Sequence, residues 1–261
     1  MILKVIFGFL CIFGSLSFFS NHGKAQNPTT IIIPDTSWEP YFFQAAPSPT
    51  RQGYAMEILQ NCIDKQKIDI KRIPSAIKRT EHLLKHGGAD LWVMSRRDGR
   101  DEWLDYSTEP LFEDGYAMFV RSDFNINVKG IKDLDTLRVG SVLGLHVTKP
   151  YQEWKARQPE HHKPLEVIHE QELLLKLINK KVDVAITSIT PFLSYAKYHD
   201  VVKDIRISGK PLRIKSYYTV LSKEGKNIPK RKSFLRKLDQ CIRELKKSSY
   251  IENLKMRYFS K

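Results

Sequence analysis

Acidic residues are in short supply: 29 Asp and Glu stand against 43 Lys and Arg, a formal charge of +14. Such a surplus invites a nucleic-acid partner, but no zinc-ligand spacing, RNP segment or helix-turn-helix pattern accompanies it. No nucleic-acid partner is expected. The basic residues are spread along the chain, and their densest group, after Lys223, alternates with Phe234, Leu235, Leu238, Cys241, Ile242 and Leu245. That spacing predicts an amphipathic helix with a basic, solvated face. Weak attraction to anionic surfaces or acidic ligands is the other use of such a face. Also missing are a nucleophile triad, a metal-ligand cluster and a nucleotide-binding glycine loop. No cofactor is expected, and with no ATPase motif any transport needs partners.

Long apolar runs are equally scarce. The one present, Val5 to Phe19, follows Lys4 and is followed in turn by a polar stretch and by Gly23, Lys24 and Ala25, a small-x-small pattern. This is the layout of a secretory signal peptide, residues 1–25, cut after Ala25. The run is short and interrupted by Gly and Ser, unlike a membrane span; an uncleaved anchor is the alternative. Cys11 lies too early in it for lipid attachment. Cleavage lowers the formal charge to +12 and leaves two of the three cysteines, Cys62 and Cys241. An exported, oxidising setting permits a disulfide between them. Each also falls on the apolar stripe of a predicted helix, and two buried free thiols fit that pattern as well.

At 261 residues the chain is long enough for one large domain or two small ones. From Thr29 onward short apolar strands alternate with helical patterns. Strands are predicted at Ile31–Ile33, Ile68–Ile73, Ala89–Ser95, Tyr116–Val120, Arg138–Val142, Leu165–Ile168, Val182–Ser188 and Ile205–Ser208. Helices are predicted over Gly53–Gln66, Ala76–His86, Thr148–Arg157, Glu172–Lys180 and Thr190–Tyr198. Ala45 to Pro49 reads as a surface loop. The alternation implies an α/β chain built from parallel βαβ units. An internal echo adds detail. Leu84 to Ser95 and Leu177 to Ser188 each run helix end, turn, Asp, apolar strand, Ser. This suggests two similar lobes that present Ser95 and Ser188 at strand ends, where open parallel sheets bind ligands. Two lobes facing each other would put these serines on opposite walls of one cleft.

Five segments in register resemble family 3 of the bacterial extracellular solute-binding proteins, the type that serves polar amino-acid transporters. They are Gly53–Leu59 (GYAMEIL), His86–Asp90 (HGGAD), Arg100–Pro110 (RDEWLDYSTEP), Ile131–Gly144 and Lys181–Ala185 (KVDVA). The resemblance implies a type II periplasmic-binding fold: two lobes, each a mostly parallel sheet flanked by helices, with two hinge crossings and closure on a ligand. The implied division is 26–118 for the first lobe, 119–215 for the second and 216–261 for the return to the first. A periplasmic location and a monomer are expected.

In that family the arginine that falls on Arg100 clamps the ligand's carboxylate, and a guanidinium's planar fork suits that task. Ser95 can share the same anion. Arg96 and Arg97 are read as solvated charge. Trp38, Tyr41 and Phe42 fall where the family places an aromatic wall, although core packing is an equal reading. Gly144, Leu145 and His146 fall where backbone N–H groups meet an anion, without the family's usual hydroxyl. At Ser188 the amino-acid binders carry an aspartate for the ligand's ammonium. A hydroxyl supplies no counter-charge there, and a buried unpaired ammonium is costly. An organic acid or another small polar or anionic solute is therefore expected, not an ordinary α-amino acid.

The function implied is non-catalytic binding of a small polar, carboxylate-bearing solute between two lobes, with a membrane permease complex or a sensor as partner. Two other readings stay open. A dehydratase of the cyclohexadienyl or arogenate type on this fold would need an acid in the cleft, for which Glu109 and Glu113 are the candidates. An accessory protein without a small-molecule ligand would show a collapsed or apolar cleft.

Overall fold

The computed structural model describes residues 29–44 and 52–259. The signal peptide predicted over 1–25 and the loop predicted at Ala45 to Pro49 lie outside them. The strands are β1 (Thr29–Asp35), β2 (Ile68–Pro74), β3 (Leu91–Ser95), β4 (Leu104–Arg121), β5 (Val139–Val142), β6 (Leu165–Val167), β7 (Val184–Ser188) and β8 (Ile205–Ser222). The helices are α1 (Tyr54–Asp64), α2 (Ile77–Lys85), α3 (Lys149–Arg157), α4 (Glu170–Ile178), α5 (Ile189–Tyr198), α6 (Arg231–Lys247) and α7 (Ser249–Phe259).

β1 and β2 pair in parallel, and a six-stranded sheet runs in the order β3-β8-β4-β7-β5-β6. Its parallel pairs are β5 with β6 and β5 with β7. β4 and β8 are antiparallel to each other and to β7 and β3 respectively. These two 18-residue strands pass through both lobes. They are far longer than the short strands expected at Tyr116–Val120 and Ile205–Ser208. Register shifts after Tyr106, Pro110 and Tyr116 break each strand's alternation into pieces. At the first shift the amides of Thr108 and Glu109 leave the ladder. Buried Asp239 of α6 accepts from both at 3.0 Å, which meets the demand that buried N–H groups be paired.

The core falls into three clusters. One joins residues of Ile31–Phe112 to Tyr217–Tyr258. The other two lie on opposite faces of the sheet around β4, β5 and β7. Met118, Val120, Val184 and Ile186 face one way; Ala117, Phe119 and Ala185 face the other. The side-chain period of two explains the split, and burial on both faces explains why these strands read as unbroken apolar runs.

The internal echo has a structural counterpart. Asp90 N donates to Ile32 O at 2.8 Å while Asp90 Oδ2 accepts from Ile32 N at 2.7 Å. Asp183 N donates to Arg138 O at 2.7 Å while Asp183 Oδ2 accepts from Arg138 N at 3.0 Å. Each aspartate ties the start of its strand to a neighbour, β3 to β1 and β7 to the start of β5, so the two repeats make the same backbone contact.

Cys62 on α1 and Cys241 on α6 are joined by a disulfide, with the Cα atoms 5.7 Å apart. Of the two readings open in the sequence, the bond is the one realised. Among the described residues no helix is long and apolar enough to cross a membrane.

Candidate functional site

β3 ends at Ser95, and the chain then turns through Gly99, whose φ of +77° favours glycine, into a short helical turn that begins with Arg100. The turn folds the Arg100 side chain back under the strand end. Its Nη1 donates to Ser95 O at 2.9 Å and its Nη2 to Glu81 Oε2 at 3.1 Å. The side chain is 11% exposed. Arg97 donates to the other oxygen of Glu81. Burial opposes ionisation of Glu81, but Arg100 and Arg97 outweigh it and hold the carboxyl below its usual range.

These groups line a cavity of about 360 Å³ between α2, the end of β3, the turn after β5 and the middle of β8. That is within the range of small-molecule pockets. Trp38, Trp92, Tyr116 and Tyr217 give it aromatic walls. The Tyr116 and Tyr217 hydroxyls lie 3.1 Å apart. Four cationic side chains, Lys78, Arg97, Arg100 and Lys215, face it against the single carboxylate of Glu81. Lys215 is buried, and its Nζ donates to His146 O at 3.3 Å. Burial first, then Arg213, Arg100 and Arg97, push its ammonium down to about 8. Burial and Arg97 likewise hold the His146 imidazole below its usual range.

Of the residues singled out in the sequence, Arg100, Ser95, Trp38, Gly144, Leu145 and His146 meet at this cavity. Gly144 has φ +85°, and a Cβ there would lie 3.3 Å from Lys78 Cβ; the two lobes touch at this point. Tyr41, Phe42 and Ser188 do not line it. Tyr41 stacks on Phe112 with centroids 3.8 Å apart, and Phe42 packs into the core on Trp92. Ser188 is 1% exposed and its Oγ has no hydrogen bond among the described residues. Its ladder partner Tyr116 faces the cavity instead. Ser95 and Ser188 are therefore not opposite walls of one cleft.

Several lining groups went unnoticed in the sequence. Arg97 is an ion-pair partner of Glu81 and not solvated charge, whereas Arg96 lies over the rings of Tyr106 and Tyr218. Glu81, Lys215, Tyr116 and Tyr217 carry no local signal, because their neighbours are brought by the fold and not by spacing. Glu109 pairs with Arg243 and Lys246 away from the cavity, and these pairings hold its carboxyl below the usual range. Glu113 accepts from Ser216 Oγ at 2.8 Å and does not line the cavity either. Neither candidate acid of the dehydratase reading is in the cleft. The acids that burial raises lie elsewhere: Glu170 is pushed up to about 7, and Asp114 up to about 6 although Thr190 and Gly115 donate hydrogen bonds to it. Among the described residues no cluster of three or more His, Cys, Asp or Glu could hold a metal ion.

The search of curated proteins finds no match. Solved structures agree in fold. An ancestral arginine-binding protein bound to arginine superposes with a TM-score of 0.69 at 21% identity, over 88% of this chain and 98% of that one. A substrate-binding protein of an ABC uptake transporter from Streptococcus pneumoniae, with bound histidine, gives 0.71 at 17% over 89% and 93%. A histidine kinase sensor domain similar to periplasmic binding proteins gives 0.70 at 16% over 89% and 96%. At such identities the likeness shows the fold alone, the two-lobed type II periplasmic-binding fold. The sequence profile of one family spans residues 30–261, nearly everything after the N-terminal apolar run. The chain belongs to the bacterial extracellular solute-binding proteins, family 3.

Proposed function

We propose that this protein binds a small, carboxylate-bearing solute in the cleft, without catalysis, and delivers it to an ABC-type permease or a sensor. One observation carries the reading: Arg100, nearly buried at a strand end, presents its guanidinium to the cavity with a carboxylate, that of Glu81, already on it. A guanidinium that holds one carboxylate through its Nη2, with Nη1 on the Ser95 carbonyl, has the charge and the donors to take another. The cavity's size and its four cations also speak against a collapsed or apolar cleft, which the accessory-protein reading requires. A periplasmic location after cleavage at Ala25 belongs to the same proposal, as do lobe limits at 26–118, 119–215 and 216–261. The core clusters support the second limit, which falls between Leu212 and Tyr217; for the first they favour a crossing between Phe112 and Tyr116, because Tyr116, Ala117 and Met118 pack with the second lobe.

The test is a thermal-shift screen of the protein and its Arg100→Ala variant against organic acids, amino acids, polyamines and sugars. A ligand at a hundred times its Kd adds about 2.7 kcal/mol, roughly 5–10 °C for a chain of this size. A carboxylate that shifts the wild type and not the variant supports the reading. A sugar or polyamine that shifts both equally defeats it.

A further inference from the structure

The charge balance of the cavity is lopsided. Lys78, Arg97, Arg100 and Lys215 face it, and Glu81 is the one carboxylate that answers them, bonded to the two arginines. Leaving the lining histidines aside, the lysine, arginine and glutamate side chains sum to three positive charges, one of them on the exposed Lys78. Lys215 is the most telling of the four. It is 8% exposed, yet no carboxylate lies within ion-pair distance of its Nζ among the described residues. Its ladder partner across the hinge is Asp114. That carboxylate is turned to Thr190 and Gly115 instead, at 2.8–3.1 Å. The Nζ lies 5.2 Å from the Tyr116 ring centroid, a contact that helps a cation without neutralising it. A buried ammonium beside two guanidinium groups is held against electrostatic cost, and its lowered proton affinity is the measure of that cost.

A zwitterionic amino acid would not repair this balance. It adds no net charge, and it would set an ammonium among cations. A monocarboxylate satisfies one end only. We propose that the ligand of this cleft is a small dicarboxylate lacking an ammonium group, with one carboxylate at Arg100 and the other at Lys215. This rests on the carboxylate reading of the cleft and narrows it.

Isothermal titration calorimetry of the purified protein decides the matter. The probes are malonate, succinate, glutarate and adipate, the monoamides succinamate and glutaramate, and L-glutamate and L-glutamine. At least one dicarboxylate should bind, and should bind at least about tenfold tighter than its monoamide, a difference of about 1.4 kcal/mol. Lys215→Gln should bring the dicarboxylate down to the affinity of the monoamide, and Lys215→Arg should keep the preference. Equal affinity of acid and amide in the wild type overturns the proposal while leaving the carboxylate reading intact. So does glutamine binding tighter than every dicarboxylate, the result expected if Asp114 receives an ammonium. If no carboxylate binds at all, both readings fall together. The comparison of acid with amide is made in the wild type and does not depend on how either variant folds.

Discussion

Arg100 and Glu81 meet inside the cleft, Nη2 to Oε2 at 3.1 Å, with Arg97 on the second oxygen of the same carboxylate. The fork that would receive a ligand's carboxylate is thus already engaged by one from α2. Two guanidinium groups left bare in a partly desolvated cavity would be costly, and Glu81 relieves that cost. A solute that takes the arginines has to displace it.

Glu81→Gln should therefore tighten the binding of a carboxylate ligand, by about tenfold, since a charged competitor gives way to a neutral one. The ligand-free protein should lose stability at the same time. Calorimetric titration and thermal melts of the variant check both halves. Weaker binding would mean that Glu81 positions the arginines for the ligand, and the displacement idea would be lost.

Asp114 predicts a pH dependence. Its carboxyl titrates near 6 in the folded protein, above its ordinary 3.8. The folded state therefore holds the proton more tightly than the unfolded chain does. That contribution is complete below about pH 4 and is lost as pH rises through 6. Glu170, which burial pushes up to about 7, acts in the same sense at slightly higher pH. In Asp114→Asn the first of these losses should vanish. The stability difference between wild type and variant should change by about 2 kcal/mol between pH 4 and pH 7. Urea unfolding across that range measures it, and parallel pH profiles would refute the assignment.

The Cys62–Cys241 bond spans 179 residues. Closing so long a loop restricts the unfolded chain, and its loss should cost about 2–5 kcal/mol. The double variant Cys62→Ser, Cys241→Ser should show this drop in urea unfolding, with no further change on adding reductant. An unchanged midpoint would mean that the unfolded ensemble is already held together by other contacts.

Gly144→Ala tests the contact between lobes. A φ of +85° disfavours any L side chain, and the new methyl would press on Lys78 of the opposite lobe. A loss of about 1–2 kcal/mol is expected from the backbone alone. Ligand affinity should fall as well, because the Lys78 contact is made only when the lobes are together. A variant that loses stability and keeps its affinity would show that closure does not need this approach.

Much of the architecture was legible. The apolar runs of Leu91–Met94 and Val184–Ile186 announce strands covered on both faces, and the paired Asp90 and Asp183 announce a repeated lobe. β4 and β8 were legible only in part. Only Tyr116–Val120 and Ile205–Ser208 were expected there, but the strands pass through register shifts after Tyr106, Pro110 and Tyr116, the last opposite Gly209–Leu212, and resume their pairing each time. Arg100 was found through its motif and its charge. Glu81 was not, because a glutamate among Lys78, Arg79 and Lys85 on a short helix looks like any solvated face. Ser188 was misplaced for a geometric reason: a strand end marks the level of a site, and the neighbouring Tyr116 ring decides which side chain reaches it.

The first core cluster is drawn from both sides of the second lobe, Ile31–Phe112 before it and Tyr217–Tyr258 after it. A chain exported from its N-terminus onward delivers these halves at different times. The emerging chain completes the two clusters of the second lobe while α1 and β3 still await α6. During that interval the apolar faces of the first lobe are open to misassociation, and Cys62 has no native partner. Arrival of α6 gives Cys62 its partner, and α7 completes the apolar cover, which makes the last-arriving helices the keystone of the first-made lobe.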